Sequence, residues 1–330
     1  MKRLIAEFEE QSFTQMIFPH KNTDWLEYLD ETITTFVKII NEIVKYQKCL
    51  VVCADIKDTK RRFKKNTNLF FVEYESDDTW ARDCSAFSIV DAGELKLLNF
   101  IFDAWGGKFN CSKDNLLSSC ISKHYKAQMQ DVEFILEGGA VESNGDGLIL
   151  TTSSCMLKRN PNLDKKEISK KLKYEFGASE VLYLDHGYLK GDDTDSHIDT
   201  LARFIDAKTI IYLRCDDKND EHFVELNKMQ EELQRFATRL DLTLISLPMA
   251  DAVCFKEERL PATYLNFLFI NEAILVPVYG VKQDIEALKI FKKTFKHKTI
   301  IPINCSTLIK QHGSLHCVTM NFASGIDILV

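Results

Sequence analysis

Residues 164–214 read DKKEISKKLKYEFGASEVLYLDHGYLKGDDTDSHIDTLARFIDAKTIIYLR and contain one helix–strand–hairpin unit. The first part, 164–176, has the apolar spacing of an amphipathic helix. The short apolar run EVLYLD, at 180–185, predicts a buried strand. The last part, 198–214, predicts a β-hairpin, because two apolar runs flank a turn that contains Asp206.

The same order of elements recurs along the whole chain. Helix-period segments lie near 24–47, 114–127, 164–176, 220–240 and 282–295. Each is followed by a strand-like run, at 48–55, 132–137, 180–185, 242–248 and 298–305. A hairpin signal follows each of the first four runs, at 84–100, 140–152, 198–214 and 264–279. A repeat of this kind is typical of stacked or radial architectures.

The fifth unit has one strand, 315–322 (LHCVTMNF), where the others have a hairpin. The N-terminal run SFTQMIFP, at 12–19, would supply the missing partner and close a ring without an open edge strand. The alternative is an irregular α/β sheet. Because no Pro/Gly/Ser-rich linker interrupts the chain, we expect one domain over residues 1–330.

Composition excludes several classes of protein. The net charge of −7 argues against a nucleic-acid surface and suits a small cationic ligand. Glu7, Glu9 and Glu10 interrupt any signal-peptide core, and no apolar run is long enough for a membrane helix. The ten Cys form no CxxC pair and no zinc-finger spacing. We therefore expect a cytoplasmic protein with reduced thiols and no membrane or nucleic-acid partner.

Chemically reactive residues concentrate just before the hairpins. In a ring of units these segments would face a common axis, where ligands bind. The five segments are DDTWARD at 77–83, LEGG at 136–139, GDDTDSHID at 191–199, ERLPATYLN at 258–266 and QHGSLHC at 311–317.

Cys317 is the candidate nucleophile, although a free Cys is more often a small buried hydrophobe. His197 and Asp199 are two residues apart, so on a strand both side chains would project to the same face. They could act as a general base and its anion, or they could be a metal pair or a structural histidine. The adjacent His316 should point away from Cys317 on a strand, which leaves His197 as the expected partner of the thiol.

Carboxylates and aromatic rings complete the set of candidates. Glu137 precedes two glycines that allow a close approach to a ligand, although a simple turn would look the same. Asp83 could bind a ligand or form a salt bridge with Arg82. Trp80 and Trp105 could attract a cation through their ring faces or simply pack in the core.

The motifs WARD, EGG, GDDTDSHID and GSLHC, in this order, resemble the agmatine deiminase branch of the guanidino-group modifying enzymes, the pentein superfamily. The bacterial peptidyl-arginine deiminase type is a close relative. The resemblance implies an α+β fold, a five-bladed α/β propeller of ββαβ units around a central active site. It implies no metal and no organic cofactor.

The resemblance also implies a role for each candidate residue. Cys317 is the nucleophile and His197 the general acid and base, while Trp80 and Trp105 line the pocket. The backbone of Gly313 is a candidate contact with the substrate. The carboxylates that hold the guanidinium are Asp83, Asp199 and Glu137.

The implied reaction is hydrolysis of agmatine to N-carbamoylputrescine and ammonia through a covalent thiouronium on the cysteine, in putrescine (polyamine) synthesis. Alternative substrates are free arginine and peptidyl-arginine. A non-enzymatic protein that binds a cationic metabolite and a cysteine protease are alternatives of other classes. A homodimer is the expected assembly. This chain departs from the family pattern at two positions. Where relatives usually read TDGH, this chain has Ser196 before His197, and where they often read GGS, it has His312 before Gly313.

Overall fold

The computed structural model describes residues 2–329, which form alternating strands and helices. The strands are β1 (Arg3–Leu4), β2 (Gln11–Ile17), β3 (Lys48–Cys53), β4 (Leu69–Glu73), β5 (Phe87–Asp91), β6 (Glu94–Ile101), β7 (Gln128–Ile135), β8 (Val141–Ser143), β9 (Leu148–Thr152), β10 (Glu180–Leu184), β11 (Ala202–Asp206), β12 (Thr209–Arg214), β13 (Thr243–Pro248), β14 (Val253–Phe255), β15 (Glu258–Leu260), β16 (Leu268–Ile270), β17 (Ala273–Val278), β18 (Thr299–Asn304) and β19 (Thr319–Ala323).

The helical segments alternate with these strands. They are α1 (Leu29–Ile43), α2 (Ile56–Lys60), α3 (Ala81–Cys84), α4 (Ala104–Gly107), α5 (Leu117–Ile121), α6 (Ser153–Arg159), α7 (Lys165–Phe176), α8 (Phe223–Leu240) and α9 (Gln283–Thr294). α4 is a turn rather than a true helix, because Trp105 and Gly106 have φ of 58° and 90°. In the part of the chain described, no helix is long and apolar enough to cross a membrane.

Within residues 2–329, five sheets share one three-stranded pattern. An antiparallel pair comes first, and its second strand pairs in parallel with a third strand that follows a helical segment. The five sets are β5-β6-β7, β8-β9-β10, β11-β12-β13, β16-β17-β18 and β19-β2-β3. The helix–strand–hairpin order predicted from the sequence is therefore confirmed.

The two ends of the chain meet in one sheet. β19 pairs antiparallel with β2, and β2 pairs in parallel with β3. Phe13 of β2 is opposite Phe322 of β19, and the two buried rings stack with their centroids 4.4 Å apart. This pairing confirms the predicted contact between the N-terminal and C-terminal runs.

Local signals explain where the helices begin and end. At the start of α7, the Asp164 side chain accepts hydrogen bonds from the backbone N–H groups of Lys166 and Glu167, and Glu167 reciprocates to form a capping box. Gly177 ends α7 in the left-handed conformation, with φ of 62°. The helix predicted near 114–127 is instead broken into short turns, in a segment rich in serine, a residue that favours turns over helix interiors.

Candidate active site

A cavity of about 530 Å³ opens among the loops that precede the hairpins. Its wall contains Trp80 and Asp83 from the first loop, His197 and Asp199 from a later one, and Cys317 from the last. Trp105 and Gly313 also line the cavity. The structure thus brings together residues that are far apart in sequence, and of the predicted site residues only Glu137 lies outside the wall.

The backbone of this site differs from the strand conformation expected around the key residues. His197 and Asp199 lie at a 3₁₀ turn, Ile198–Thr200, which the Thr200 hydroxyl stabilises by donating to the His197 carbonyl oxygen at 2.8 Å. Cys317 lies in a turn before β19, which begins at Thr319. The strand argument was wrong at both places, although both loops deliver their side chains to the cavity.

Asn266 holds the Cys317 thiol in place. The Asn266 Oδ1 atom lies 3.3 Å from the Sγ atom and also accepts the backbone N–H groups of Cys317, at 3.3 Å, and His316, at 2.8 Å. Burial raises the pKa of the thiol well above its ordinary value, and the carboxylates of Asp199 and Asp83 raise it further. The thiol of the free protein is therefore protonated at neutral pH.

His197 lies between two carboxylates. Its Nε2 atom is 3.4 Å from a Glu137 oxygen, and its Nδ1 atom is 3.9 Å from an Asp83 oxygen. Burial lowers the pKa of His197, but Asp83, Cys155 and Glu137 outweigh burial and raise the pKa well above its ordinary value. His197 is consequently an imidazolium that can give up a proton.

The position of His197 leaves no room for a side chain at residue 139, which is glycine. A Cβ atom on Gly139 would lie 2.6 Å from the His197 Nδ1 atom, closer than atoms can approach. The Gly139 N–H donates to Asp83 at 2.9 Å, and the Trp105 indole N–H donates to the other oxygen of Asp83 at 3.0 Å. Burial nonetheless raises the pKa of Asp83.

Asp199 has one bound oxygen and one free oxygen. Its Oδ2 atom accepts hydrogen bonds from His316 at 2.7 Å and from Asn266 at 3.3 Å. Its buried Oδ1 atom has no hydrogen-bond partner among the residues described. Burial raises the pKa of Asp199, but the His316 hydrogen bond and nearby positive charges lower it overall. Asp199, which lines the cavity, is therefore an ionised carboxylate with one unused acceptor.

Glu137 lies behind His197. It is fully buried and forms an ion pair with the buried Arg159 in addition to its contact with His197. Arg159 in turn donates to Asp195 at 2.7 Å and to the Thr194 carbonyl oxygen at 2.8 Å. The carboxylate of Glu137 is thus already engaged by groups of the protein, and its contact with the cavity runs through His197.

Trp80 and Gly313 pack directly against each other. A Cβ atom on Gly313 would lie 2.1 Å from a carbon of the Trp80 ring, so only glycine fits here. The Trp80 indole N–H donates to Asp78 at 2.8 Å. The close contact places an aromatic ring beside the loop that carries the thiol.

Six aspartates besides Asp83 and Asp199 line the cavity. Burial raises the pKa of Asp78 to about 8, of Asp114 to about 7 and of Asp193 to about 6. All three line the cavity, together with Asp24, Asp77 and Asp192. Neighbouring carboxylates that are held near one another in this way bind a cation more readily than an anion.

The two departures from the family pattern have the same backbone conformation. Ser196 has φ of 70° and His312 has φ of 63°, in the left-handed region that favours glycine. Glycine at these places in the family motifs is therefore explained by the backbone. His312 also lines the cavity and contacts the Gly191 carbonyl oxygen through its Nδ1 atom at 2.7 Å.

Among residues 2–329, two groups of side chains are close enough to hold a metal ion, Glu137 with Cys155 and His197, and Glu7 with Glu142 and His316. Both contain carboxylates that arginines already neutralise: Arg159 pairs with Glu137, and Arg203 pairs with Glu7 and Glu142. A buried arginine beside a ligand set disfavours a second positive charge there.

Asn266 and Arg159 are site residues that the sequence did not reveal. Asn266 ends the fourth pre-hairpin segment and interrupts an apolar run, which was a usable signal for a buried polar residue. Arg159 ends α6 with no motif around it, and its role depends on contacts with Glu137 and Asp195 from other segments.

Comparisons with known proteins agree with this geometry. A family model described as Porphyromonas-type peptidyl-arginine deiminase matches residues 3–322. A solved structure of a C. jejuni agmatine deiminase, a cysteine-to-serine variant with substrate bound, is 40% identical, covers 98% of this chain and 97% of its own, and has a TM-score of 0.94. The agmatine deiminase of Enterococcus faecalis is 26% identical, covers 97% of this chain and 95% of its own, and has a TM-score of 0.88. An amidinotransferase from Microseira wollei, 12% identical with a TM-score of 0.53 and 99% of each chain covered, shares the fold.

Proposed function

Because the chain belongs to the Porphyromonas-type peptidyl-arginine deiminase family, we propose that it hydrolyses the guanidinium group of agmatine to N-carbamoylputrescine and ammonia. The observation that carries the proposal is the Oδ1 atom of Asp199, which has no hydrogen-bond partner among residues 2–329. Asp199 lines the same cavity as Cys317 and the charged His197. A guanidinium group supplies the N–H donors that this oxygen lacks.

Substrate binding prepares the thiol. Asp83 and Asp199 accept N–H groups of the guanidinium and fix its plane, which presents the central carbon to Cys317. The positive charge of the guanidinium opposes the carboxylates that raise the pKa of the thiol, so binding lowers that pKa. Because His197 is already protonated, the thiol gives up its proton to water in the cavity, and the thiolate forms where its target is already bound.

The reaction then follows two displacement steps. The Cys317 thiolate adds to the guanidinium carbon and gives a neutral tetrahedral intermediate. His197 donates its proton to one amino group, ammonia leaves, and a thiouronium cation remains on Cys317. Neutral His197 then accepts one proton from water as the water attacks. When the second intermediate collapses, its C–S bond breaks and its hydroxyl proton passes to the departing sulfur, which restores the Cys317 thiol and releases the ureido product.

The remaining side chains position these groups. Glu137 holds the Nε2 atom of His197, so Nδ1 remains on the side of Asp83 and the cavity. Glu137 is thus a positioning residue in this proposal rather than a contact of the guanidinium. Trp80, Trp105 and the backbone of Gly313 shape the pocket around the substrate.

The aspartates that line the cavity favour agmatine among the candidate substrates. Agmatine ends in an amine, whereas free arginine also carries a carboxylate, which would add a negative charge to a cavity already lined by six aspartates besides Asp83 and Asp199. Peptidyl-arginine lacks the free amine with which agmatine ends.

The retained thiol also argues against a protein that only binds a cation. The product is a precursor of putrescine, which places the proposed reaction in polyamine synthesis.

The proposal also covers the arrangement of the sheets, the cellular location and the assembly of the protein. We propose that the five sheets surround one axis as a five-bladed propeller in a single domain, which the recurring strand order and the β2–β19 pairing support. Ten free cysteines favour a cytoplasmic location. The homodimer stays a prediction, which analytical ultracentrifugation tests.

Ammonia release from agmatine, arginine and a blocked arginyl peptide tests the substrate. We expect turnover with agmatine and values of kcat/KM at least about a hundredfold lower for the other two, because arginine brings a carboxylate into an acidic cavity and the blocked peptide lacks the charged amine. Turnover of arginine without turnover of agmatine contradicts the proposal. A loss of activity in EDTA that zinc restores would instead favour a metal hydrolase.

Cys317→Ser tests the nucleophile. We expect turnover to fall below detection while agmatine binding, measured by calorimetry, remains, because serine keeps the shape but not the acidity of the thiol. The matched control is Cys254→Ser, at an exposed cysteine, which should leave kcat unchanged. Turnover of the Cys317→Ser protein at the wild-type rate excludes the mechanism.

A further inference from the structure

His316 lies on the far side of Asp199 from the cavity. Its Nδ1 atom is 2.7 Å from Asp199 Oδ2, and its Nε2 atom is 2.6 Å from Glu7 Oε2. The side chain is buried, and it lines a separate cavity of about 70 Å³ instead of the large one. His316 therefore touches a carboxylate of the site without reaching any ligand bound there.

Both contacts of the ring are to carboxylate oxygens, which only accept hydrogen bonds. A neutral imidazole has a single N–H, so one of its two nitrogens would face a carboxylate lone pair at less than 3 Å. The geometry therefore fits an imidazolium with two N–H donors. The premise is that the carboxyl groups of Asp199 and Glu7 are both ionised and cannot donate a proton to the ring.

Glu7 is kept ionised by two arginines. Its Oε2 atom lies 2.8 Å from Arg203 and 3.4 Å from Arg82. Burial raises the pKa of Glu7, but Arg203, His316 and Arg82 lower it well below its ordinary value overall. A chain of alternating charges thus runs from the N-terminal segment through His316 to Asp199.

We propose that His316 is a positioning residue that, as an imidazolium held by Glu7, fixes Asp199 with its free oxygen toward the substrate guanidinium. The inference rests on the proposed function. His316 donates a hydrogen bond to Oδ2 of Asp199, which leaves Oδ1 as the oxygen that can accept a hydrogen bond from the substrate. Its charge also stabilises the ionised form of Asp199, which burial alone would disfavour.

Charged groups on several elements act on the pair of His316 and Asp199, and all of them belong in the interpretation of its pH dependence. Positive charges come from Arg203, Arg82 and His197. Negative charges come from Glu7, Glu142 and Asp83. The Cys317 thiol is also near, because the Asp199 charge raises its pKa. Only His316 and Asn266 among the described residues donate hydrogen bonds to the Asp199 carboxylate.

His316→Asn tests the role through its pH profile. Asparagine keeps a neutral donor near Asp199 but removes the charge, so the pKa of Asp199 rises and a proton competes with the guanidinium. We expect the acid limb of kcat/KM for agmatine to move up by about one pH unit, with KM about tenfold higher at pH 6 and kcat at saturation changed by less than about threefold. His297→Asn, at an exposed histidine, is the control and should leave the profile unchanged.

Two further measurements separate positioning from folding. Glu7→Gln should shift the acid limb in the same direction, because it removes the carboxylate that holds the charged ring. Long-range ¹⁵N–¹H spectra of the wild-type protein at pH 7 should show a second buried histidine with two N–H protons besides His197, assigned to His316 by its absence in His316→Asn or His316→Gln.

The outcomes distinguish this inference from the proposed function. A wild-type protein that does not act on agmatine overturns the function, and the spectra still decide the state of His316. An active wild type with an unchanged pH profile in His316→Asn, or with a ring that carries a single N–H proton, overturns the role of His316 alone. A loss of thermal stability without a change of profile likewise overturns it.

Discussion

At the scale of single residues, some positions of the site accept only glycine, whereas another holds a larger residue in a backbone conformation that favours glycine. Gly313 and Gly139 make room for Trp80 and His197, and a methyl group at either place would collide. Ser196 instead holds a left-handed backbone that glycine would adopt without strain. The chain therefore retains backbone strain directly beside its candidate acid and base.

Ser196→Gly should relieve that strain. The left-handed conformation costs an ordinary residue about 1–2 kcal/mol, and the greater freedom of glycine in the unfolded chain offsets part of this. We expect the free energy of unfolding to rise by about 0.5–1 kcal/mol in urea titrations. Ser196→Ala keeps the strained Cβ atom and serves as the control, which should show no gain. A less stable glycine variant contradicts the strain argument.

The sequence revealed residues whose chemistry is unusual, and it missed those whose importance comes from contacts. Cys317, His197 and Asp199 stand in recognisable motifs, and all three line the cavity. Asn266 and His316 act through hydrogen bonds between segments that are 50 or more residues apart in sequence. No local pattern encodes such contacts, because they depend on how the sheets pack.

At the scale of elements, local rules predicted regular structure and failed at the loops. The helices α7, α8 and α9 follow their apolar spacing, and α7 carries its own capping box. Around His197 and Cys317 the expected strands are turns, because the Thr200 hydroxyl and the Asn266 side chain capture backbone groups that a strand would pair with a neighbour.

The cap of α7 is a local source of stability that can be measured. Asp164→Ala removes the acceptor for two backbone N–H groups at the start of the helix. We expect the free energy of unfolding to fall by about 1 kcal/mol, within the range of 0.5–2 kcal/mol for such caps. Lys166→Ala, two residues further on and exposed, is the control. Equal effects of the two substitutions would contradict the capping argument.

At the scale of the whole molecule, the acidic cavity links stability to pH and to ligand. The pKa values of Asp78, Asp114 and Asp193, about 8, 7 and 6, lie above the ordinary value for a carboxyl group. These groups therefore stabilise the folded protein fully at pH values below about 4, and that contribution is lost as pH rises through 6 to 8. A bound cation restores it by pairing with the ionised carboxylates.

Thermal unfolding of Cys317→Ser with agmatine tests this link. We expect the ligand to raise Tm more at pH 8 than at pH 6, because more carboxylates are ionised at the higher pH. Asp78→Asn should flatten the trend, whereas Asp131→Asn, at an exposed position, should preserve it. An increment in Tm that is equal at both pH values, or larger at pH 6, contradicts the prediction.

The pairing of β2 with β19 has a consequence for biosynthesis. β2 leaves the ribosome early, but its antiparallel partner is made only after more than three hundred further residues, since Phe13 pairs with Phe322. Until then a nascent chain exposes one edge of a strand whose residues are mostly buried in the folded protein, and such an open edge is a template for aggregation. Contacts of such long sequence separation also slow folding. We therefore expect this edge of β2 to stay unprotected by the chain itself until β19 has been translated.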